Sequence, residues 1–277
     1  MSSVEGIVSH YSTETLLDRI KGGLAQLGAD PEAPKPEDLK PVDEFHTGGI
    51  EATEALLNQL EIGHDTRVLD IGSGIGGTAR VIASRYAARV TGVDLTPGFV
   101  ETATELSRLA GIGGRTDFIV GSAADLPVGE AAFDLALLLH VGMNIADKLS
   151  LFREVRRVLA PHGMFAVYDV MRGDNGGALQ FPVPWSTARE TSFVHSPEVY
   201  RDSATAAGFG LVSQRDRSDF ARAFFAKVSQ AIAVRGGPPP LGIHLLMGET
   251  ASLKIENYLA MLNDDRIRPI EMIFRLL

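Results

Sequence analysis

The stretch Val68-Leu69-Asp70-Ile71-Gly72-Ser73-Gly74-Ile75-Gly76-Gly77 constrains this chain more than any other: a short apolar run, an acid, closely spaced glycines, then helix-forming residues. Arg67 to Ile71 suits a strand buried on both faces of a parallel sheet, being apolar at Val68, Leu69 and Ile71. Glycine follows because the chain must turn sharply and because only a residue without Cβ lets a ligand lie against the backbone. Thr78 to Tyr86 then sets Ala79, Ile82, Ala83 and Tyr86 on one helical face. Strand, tight turn and helix start together make the first βα turn of a doubly wound sheet, the place where such folds bind nucleosides.

The glycines alone do not choose the nucleoside, since Gly72, Gly74 and Gly77 also satisfy the dinucleotide pattern G-x-G-x-x-G. Asp70 discriminates. A carboxylate at the strand end would repel a pyrophosphate but favour a ligand with a cationic end, a requirement met by S-adenosylmethionine with its sulfonium and ammonium and no phosphate. A second strand, Arg89 to Val93, ends at Asp94, 20 positions after Gly74, where a carboxylate suits a bidentate hydrogen bond to ribose hydroxyls. Asp117 to Gly121 reads as a third strand, followed by Asp125, placed to meet an adenine amino group, and Phe133 to Leu139 as a fourth.

In this order and at these intervals the motifs resemble those of the class I S-adenosylmethionine-dependent methyltransferases. Leu69 to Gly76 is similar to their nucleotide loop, Val93-Asp94 to their ribose-binding acid and Ala124-Asp125-Leu126-Pro127 to their adenine site, a resemblance spanning about residues 45 to 171. It implies an α/β fold with a doubly wound, seven-stranded Rossmann-like sheet, helices on both faces, an N-terminal helical cover and a lid inserted after the fifth strand. It also implies S-adenosyl-L-methionine as cofactor and S-adenosyl-L-homocysteine as product. The cofactor contacts it predicts are Asp70, Gly72, Ser73, Gly74, Gly76, Asp94, Leu95, Ala124, Asp125, Leu126 and His140.

Composition removes other classes. With 277 residues, a formal charge of -9 and no basic run longer than a pair, the chain lacks the clustered cations that a nucleic-acid backbone demands. The absence of Cys excludes disulfides, thiolate metal sites and a cysteine nucleophile, and accords with a reducing cytoplasm. The N-terminus lacks the basic-then-apolar order of a signal peptide, and no uncharged apolar run approaches the ~18 residues of a membrane span. His140, Asp147, His162 and Asp169 form no recognised ligand spacing, so no metal is expected.

The chain divides into an N-terminal cover and linker, residues 1–44, and a methyltransferase domain, residues 45–277. Leu16, Leu17, Ile20, Leu24 and Leu27 lie at helical spacing, with Thr13 as the predicted N-cap and Gly28 as the stop. Pro31 to Glu37 reads as an extended, proline-rich connector. A helix is expected from Ile50 to Leu60, and the preceding Phe45-His46-Thr47-Gly48-Gly49 suggests backbone pressed against a ligand. Helices at about Pro97 to Ala110 and Ala146 to Leu159 and a fifth strand, Met164 to Val170, continue the alternation. Arg153, Arg156 and Arg157 read as a solvated helix face. The segment Arg172 to Ser196, containing the sole Trp, exceeds an ordinary connection and reads as a substrate lid. Glu198 to Ala207, Phe220 to Val234 and Ser252 to Leu262 are expected as helices, and Gly210 to Gln214 and Ile270 to Phe274 as the last strands.

Tyr11, Asp43 to Gly49 and Pro182-Val183-Pro184-Trp185 resemble sarcosine and dimethylglycine N-methyltransferase-like proteins, which implies a small amine acceptor. C-methylation of quinones and O-methylation of phenols or natural products use the same chain plan and stay open, as does a cofactor-binding partner protein without catalysis. Asp70 and the ordered downstream motifs weigh against an NAD-dependent oxidoreductase. Candidate catalytic residues are His140, His195 and Tyr11; candidate acceptor contacts are His46, Met143, Asn144, Arg172, Trp185 and Arg189. The arginines are there to anchor a carboxylate, and Trp185 to hold a methylated ammonium against its ring. Oligomeric state stays open, a homodimer included.

Overall fold

The computed structural model describes residues 15–277; Tyr11 and Thr13 fall outside that range. Seven strands form one sheet: β1 (Arg67–Ile71), β2 (Arg89–Asp94), β3 (Thr116–Val120), β4 (Phe133–Leu139), β5 (Leu159–Arg172), β6 (Phe209–Asp216) and β7 (Ile267–Leu276). Their spatial order is β3-β2-β1-β4-β5-β7-β6, parallel from β3 through β5 and antiparallel where β7 inserts between β5 and β6. The doubly wound sheet expected from the motifs is therefore present. Chain progression reverses between β1 and β4, so a crevice opens at the carboxyl ends of those two strands.

Alternation along the strands divides the core into two layers. Leu69 and Ile71 of β1 face one layer with Phe152, Phe165, Phe209 and Phe274; Val68 faces the other with Leu56, Ile82, Leu137 and Tyr168. The first layer is covered by α6 (Lys148–Val158) and α7 (Pro197–Ala206), the second by α3 (Gly49–Leu57) and α4 (Gly77–Tyr86). In the first, the Phe152 ring meets Phe165, Phe209 and Phe274 edge to face at 5.2, 5.9 and 5.3 Å between centroids, the offset that aromatic quadrupoles favour. The outer surface of β2 and β3 is lined by α5 (Pro97–Leu109).

The N-terminal region departs from expectation in two places. Helix α1 (Leu16–Gln26) is capped by Thr15: the Asp18 N–H donates to Thr15 Oγ1 at 3.2 Å and the Thr15 N–H to Asp18 Oδ2 at 3.0 Å. Gly28, at φ +79°, ends it as expected. Gly28 N–H bonds Ala25 O and Ala29 N–H bonds Leu24 O, each at 3.0 Å, the paired closure that a left-handed glycine permits. The expected proline connector is instead partly a helix, α2 (Pro36–Asp43). Pro36 occupies the first helical position, where a missing N–H costs nothing, and Leu39 and Val42 bury against Ile20, Leu24, Ile75, Leu106 and Leu241. Reading every proline as a breaker misplaced this element.

The remaining departures move element bounds, α3 ending at Leu57 and α6 spanning Lys148–Val158, both shorter than expected, while others lengthen. Strand β5 runs from Leu159, earlier than expected, and the β6–β7 connection holds α8 (Ser218–Arg235), the unforeseen short α9 (His244–Met247) and α10 (Ala251–Asn263). Residues 173–196 carry only one 3-10 turn, Arg189–Thr191. No helix among the described residues is long and apolar enough to cross a membrane.

Because Phe152 is fully buried among three rings, Phe152→Ala is expected to lower unfolding stability by about 3–5 kcal/mol. Denaturant melts of the two proteins check this; a loss below about 1 kcal/mol would mean the layer repacks around the gap.

Candidate active site

The crevice at the end of β1 and β4 opens into a cavity of about 670 Å³, within the ~300–1,000 Å³ span of small-molecule sites. One part is backbone and acid. Gly72 lies at φ +73° with Val141 packed where its Cβ would be, and Gly74 lies at φ +54° facing open space, so the loop after β1 can be approached closely by a ligand. Asp94, at the end of β2, accepts the Gly74 N–H on Oδ2 and the Thr96 N–H on Oδ1, both at 2.9 Å. Each oxygen keeps a second lone pair for a ligand.

Three buried oxygens at this end have no partner among the described residues: Asp70 Oδ2, Glu44 Oε1 and Ser73 Oγ. Burial, then the neighbouring carboxylates of Glu44 and Asp94, push the Asp70 carboxyl up to about 7. Glu44 Oε2 is, by contrast, well supplied, lying 2.8 Å from His46 Nε2 and 2.9 Å from Thr53 Oγ1 and accepting from Thr78 Oγ1 at 3.2 Å. Although burial opposes it, this set of hydrogen bonds holds the Glu44 carboxyl below its ordinary range. Asp43 is neutralised by the buried Arg80 guanidinium. The site thus gathers acids and orphaned acceptors, which fit a ligand carrying positive charge and N–H donors.

His140 follows β4 at φ +55°, a left-handed conformation uncommon for a residue with a Cβ. The Tyr168 carbonyl holds it there, accepting the His140 backbone N–H at 2.7 Å with ring Nδ1 at 3.2 Å. Protonation at Nδ1 leaves Nε2 as the acceptor, facing Thr47 Oγ1 at 3.0 Å and the Thr47 N–H at 3.3 Å. Burial first, then His46, pushes this imidazole well below the ordinary histidine range. Its one lone pair is occupied and weakly basic, so the geometry does not support the expected general base.

The other part of the cavity is apolar, lined by Met143, Trp185, Phe224, Phe225, Met247 and Tyr258 among others. The segment 173–196, expected as a lid, is fastened beside it by hydrogen bonds. Asn144 Nδ2 donates to Trp185 O at 2.8 Å and Thr191 O at 3.2 Å, and Trp185 Nε1 donates to Ser192 Oγ at 2.9 Å. Beneath, Lys148 Nζ donates to Gly142 O at 2.8 Å and Phe193 O at 3.2 Å, joining the loop after β4 to the lid.

Of the residues expected from sequence, Asp70, Gly72, Ser73, Gly74, Asp94, Leu95, Ala124 and His140 line the cavity, as do His46, Met143, Asn144 and Trp185. Others do not. Gly76 caps α4 behind the loop, Asp125 is exposed on the turn beside Ala124, and Leu126 is buried in the core with its N–H on Glu154 Oε1 at 2.8 Å. His195 sits away from the cavity, Arg189 is exposed, and Arg172 donates to Gly177 O at 2.9 Å beside a separate polar cleft. Glu44, Thr47, Phe225 and Tyr258 line the cavity and were missed as site residues. Only the charged pair Asp43-Glu44 before His46 offered a signal, since the rest arrive through tertiary packing.

Residues 69–167 match the family model described as a methyltransferase domain. Over this region the chain resembles the class I S-adenosylmethionine-dependent methyltransferases. It is 26% identical over 195 residues to a glycine/sarcosine/dimethylglycine N-methyltransferase of Actinopolyspora halophila, covering 70% of this chain and 34% of that one. It is 35% identical over 126 residues to the erythromycin 3''-O-methyltransferase of Saccharopolyspora erythraea, covering 44% and 41%. The chain thus spans only about a third (34%) to two fifths (41%) of these relatives' lengths. A crystal structure from Galdieria sulphuraria, assigned as a sarcosine dimethylglycine methyltransferase, superposes with TM-score 0.69 at 22% identity over 82% of this chain and 85% of that one, a likeness of fold.

Two outcomes are expected for this site. With Asp70 titrating at about 7, the carboxylate that attracts a cation is ionised above that pH and neutral below it. S-adenosylmethionine affinity measured by calorimetry should therefore fall as pH drops from about 8 to about 6, with proton release on binding at the lower end. Asp70→Asn should flatten that dependence. His140→Asn, which keeps a residue tolerant of positive φ, should preserve kcat within about tenfold and leave the pH–rate profile unmoved; loss of its lower limb would restore His140 as a base.

Proposed function

We propose that this methyltransferase transfers the methyl group of S-adenosylmethionine to the nitrogen of a small amine. The observation that carries the reading is the electrostatics of the cavity: Glu44, Asp70 and Asp94 line it, no Lys or Arg does among the described residues, and His140 is a poor base. A neutral amine attacks through its own lone pair and needs no deprotonation in the transition state. The ammonium it becomes is cationic, and carboxylates and aromatic faces stabilise it. A phenol or quinol would need a base that the geometry does not favour. The N-methyltransferase relative points the same way, while the O-methyltransferase relative keeps hydroxyl acceptors as the reading to test against.

When bound, the cofactor supplies a methyl group already activated as a sulfonium. Asp70, Glu44 and Ser73 would meet its cationic and donor groups, the Gly72 to Gly74 backbone would border it, and Asp94 would take its ribose. The lid, tied down by Asn144 and Lys148, would exclude water and fix the acceptor, and orientation of this kind is worth up to about 7–11 kcal/mol. The sarcosine and dimethylglycine acceptors inferred from resemblance are small amines, and their nitrogen fits this reading. Their carboxylate does not find the expected anchor, because Arg172 and Arg189 lie outside the cavity.

Asp94→Ala should weaken S-adenosylhomocysteine binding roughly 10–100-fold, as expected for losing about 1.5–3 kcal/mol of charged hydrogen bonding. Unchanged affinity in calorimetry would remove Asp94 from the cofactor site. A radiolabelled methyl-transfer screen of secondary and tertiary amines against phenols and quinols decides the acceptor atom. Turnover of phenols alone would overturn the amine reading.

A further inference from the structure

We infer that the acceptor is a hydrophobic amine carrying no carboxylate, held against a wall formed by Met143, Trp185, Phe224, Phe225, Ile255 and Tyr258. This rests on the amine reading above and narrows it to a substrate class.

The wall is continuous. Trp185 meets Tyr258 edge to face at 6.3 Å between centroids, Tyr258 meets Phe225 at 5.4 Å, and Phe225 meets Phe224 at 5.4 Å and 78°. Lid, α8 and α10 each contribute to it. Its polar groups are already engaged: the Tyr258 hydroxyl lies 2.8 Å from Thr47 Oγ1, which lies 3.0 Å from His140 Nε2, and Trp185 Nε1 donates to Ser192. An apolar body placed here loses water from its own surface and from the rings without stranding a donor.

A carboxylate would fare differently. No Lys or Arg lines the cavity among the described residues, and residues 1–14 contain neither. Arg172 is spent on the Gly176 and Gly177 carbonyls and Arg80 on Asp43. An anionic acceptor would add a negative charge beside Glu44, Asp70 and Asp94 with no Lys or Arg to answer it, the cofactor's own cationic groups facing those acids, and an unpaired buried charge is strongly disfavoured. An amine with an aromatic or aliphatic body avoids that cost, and its methylated product gains from both the ring faces and the acids.

The test uses a matched pair, N-methylphenethylamine and N-methylphenylalanine, which differ only by the carboxylate, with sarcosine as the small anionic control. Trp185 is the sole tryptophan, so its fluorescence in the full chain saturated with S-adenosylhomocysteine reports occupancy of the wall independently of turnover. The expected result is saturable binding of N-methylphenethylamine, with N-methylphenylalanine and sarcosine weaker by on the order of a hundredfold, as an unpaired buried carboxylate implies, and the same order in kcat/KM with S-adenosylmethionine. Equal or tighter binding of either carboxylate probe overturns the inference and leaves N-methylation standing. A flat response to all three probes also overturns it. Saturable, carboxylate-sensitive binding without methylation sustains the hydrophobic, carboxylate-free class and instead overturns the amine reading. Ile255→Arg, placing a cation on the wall, should shift the preference toward N-methylphenylalanine; an unchanged ratio in a folded variant counts against the wall as the acceptor site.

Discussion

Asp70 is buried at the end of β1 with the carboxylates of Glu44 and Asp94 as neighbours, opposed only in part by His46. Charge of one sign gathered in a low-dielectric site is unfavourable by itself, and the surrounding structure can be understood as what holds it there. The parallel strands on either side fix the backbone, the glycine loop keeps Cβ atoms away, and Asp94 is held by the N–H groups of Gly74 and Thr96. Glu44 is fixed by His46, Thr53 and Thr78, so the end of α2 and the start of α3 become parts of the site. The arrangement stores a preference for a cationic ligand in the rigid centre of the fold, where sub-ångström positioning costs least.

Much of this was legible because it is local. Strands β1, β2 and β4 and the loop between Ile71 and Gly77 announce themselves through apolar runs, glycine spacing and terminal acids, each within a window of a few residues. Asp70, Gly72, Gly74 and Asp94 follow from those windows and do line the cavity. The apolar end of the cavity is different in kind. Phe225 and Tyr258 are core-like positions on amphipathic helices, and only the packing of α8 against α10 turns them toward one space. Arg189 looked suited to a carboxylate, yet side-chain direction in an irregular segment has no periodicity to read, and Arg172 proves to be the last residue of β5, turned to the Gly176 and Gly177 carbonyls. His140 carried the right chemistry in the right loop, but its tautomer and occupancy are set by Tyr168 and Thr47, residues far away in sequence.

Prolines illustrate the same division. Pro31, Pro34 and Pro36 suggested an extended linker, and the compensating signals, a first-turn Asp38 accepting the Lys35 N–H at 2.9 Å and buried Leu39 and Val42, matter only once α1 is there to pack against. Local propensity gave way to burial, as it does wherever a short segment finds an apolar surface.

Strands β6 and β7 run antiparallel, and a tight hairpin would suffice to join them. The chain instead places α8, α9 and α10 between them, and these supply most of the aromatic wall. The start of that detour is tied to the sheet, the Arg217 N–H donating to Pro269 O at 2.9 Å and Phe220 packing on the layer that holds Val68, whereas Phe224, Phe225 and Tyr258 farther along make no strand pairing. Most of the proposed acceptor wall is thus carried on a different length of chain from the glycine loop and its acids, so those wall residues can be regrafted in the laboratory while β1, β2 and β4 keep their sequence.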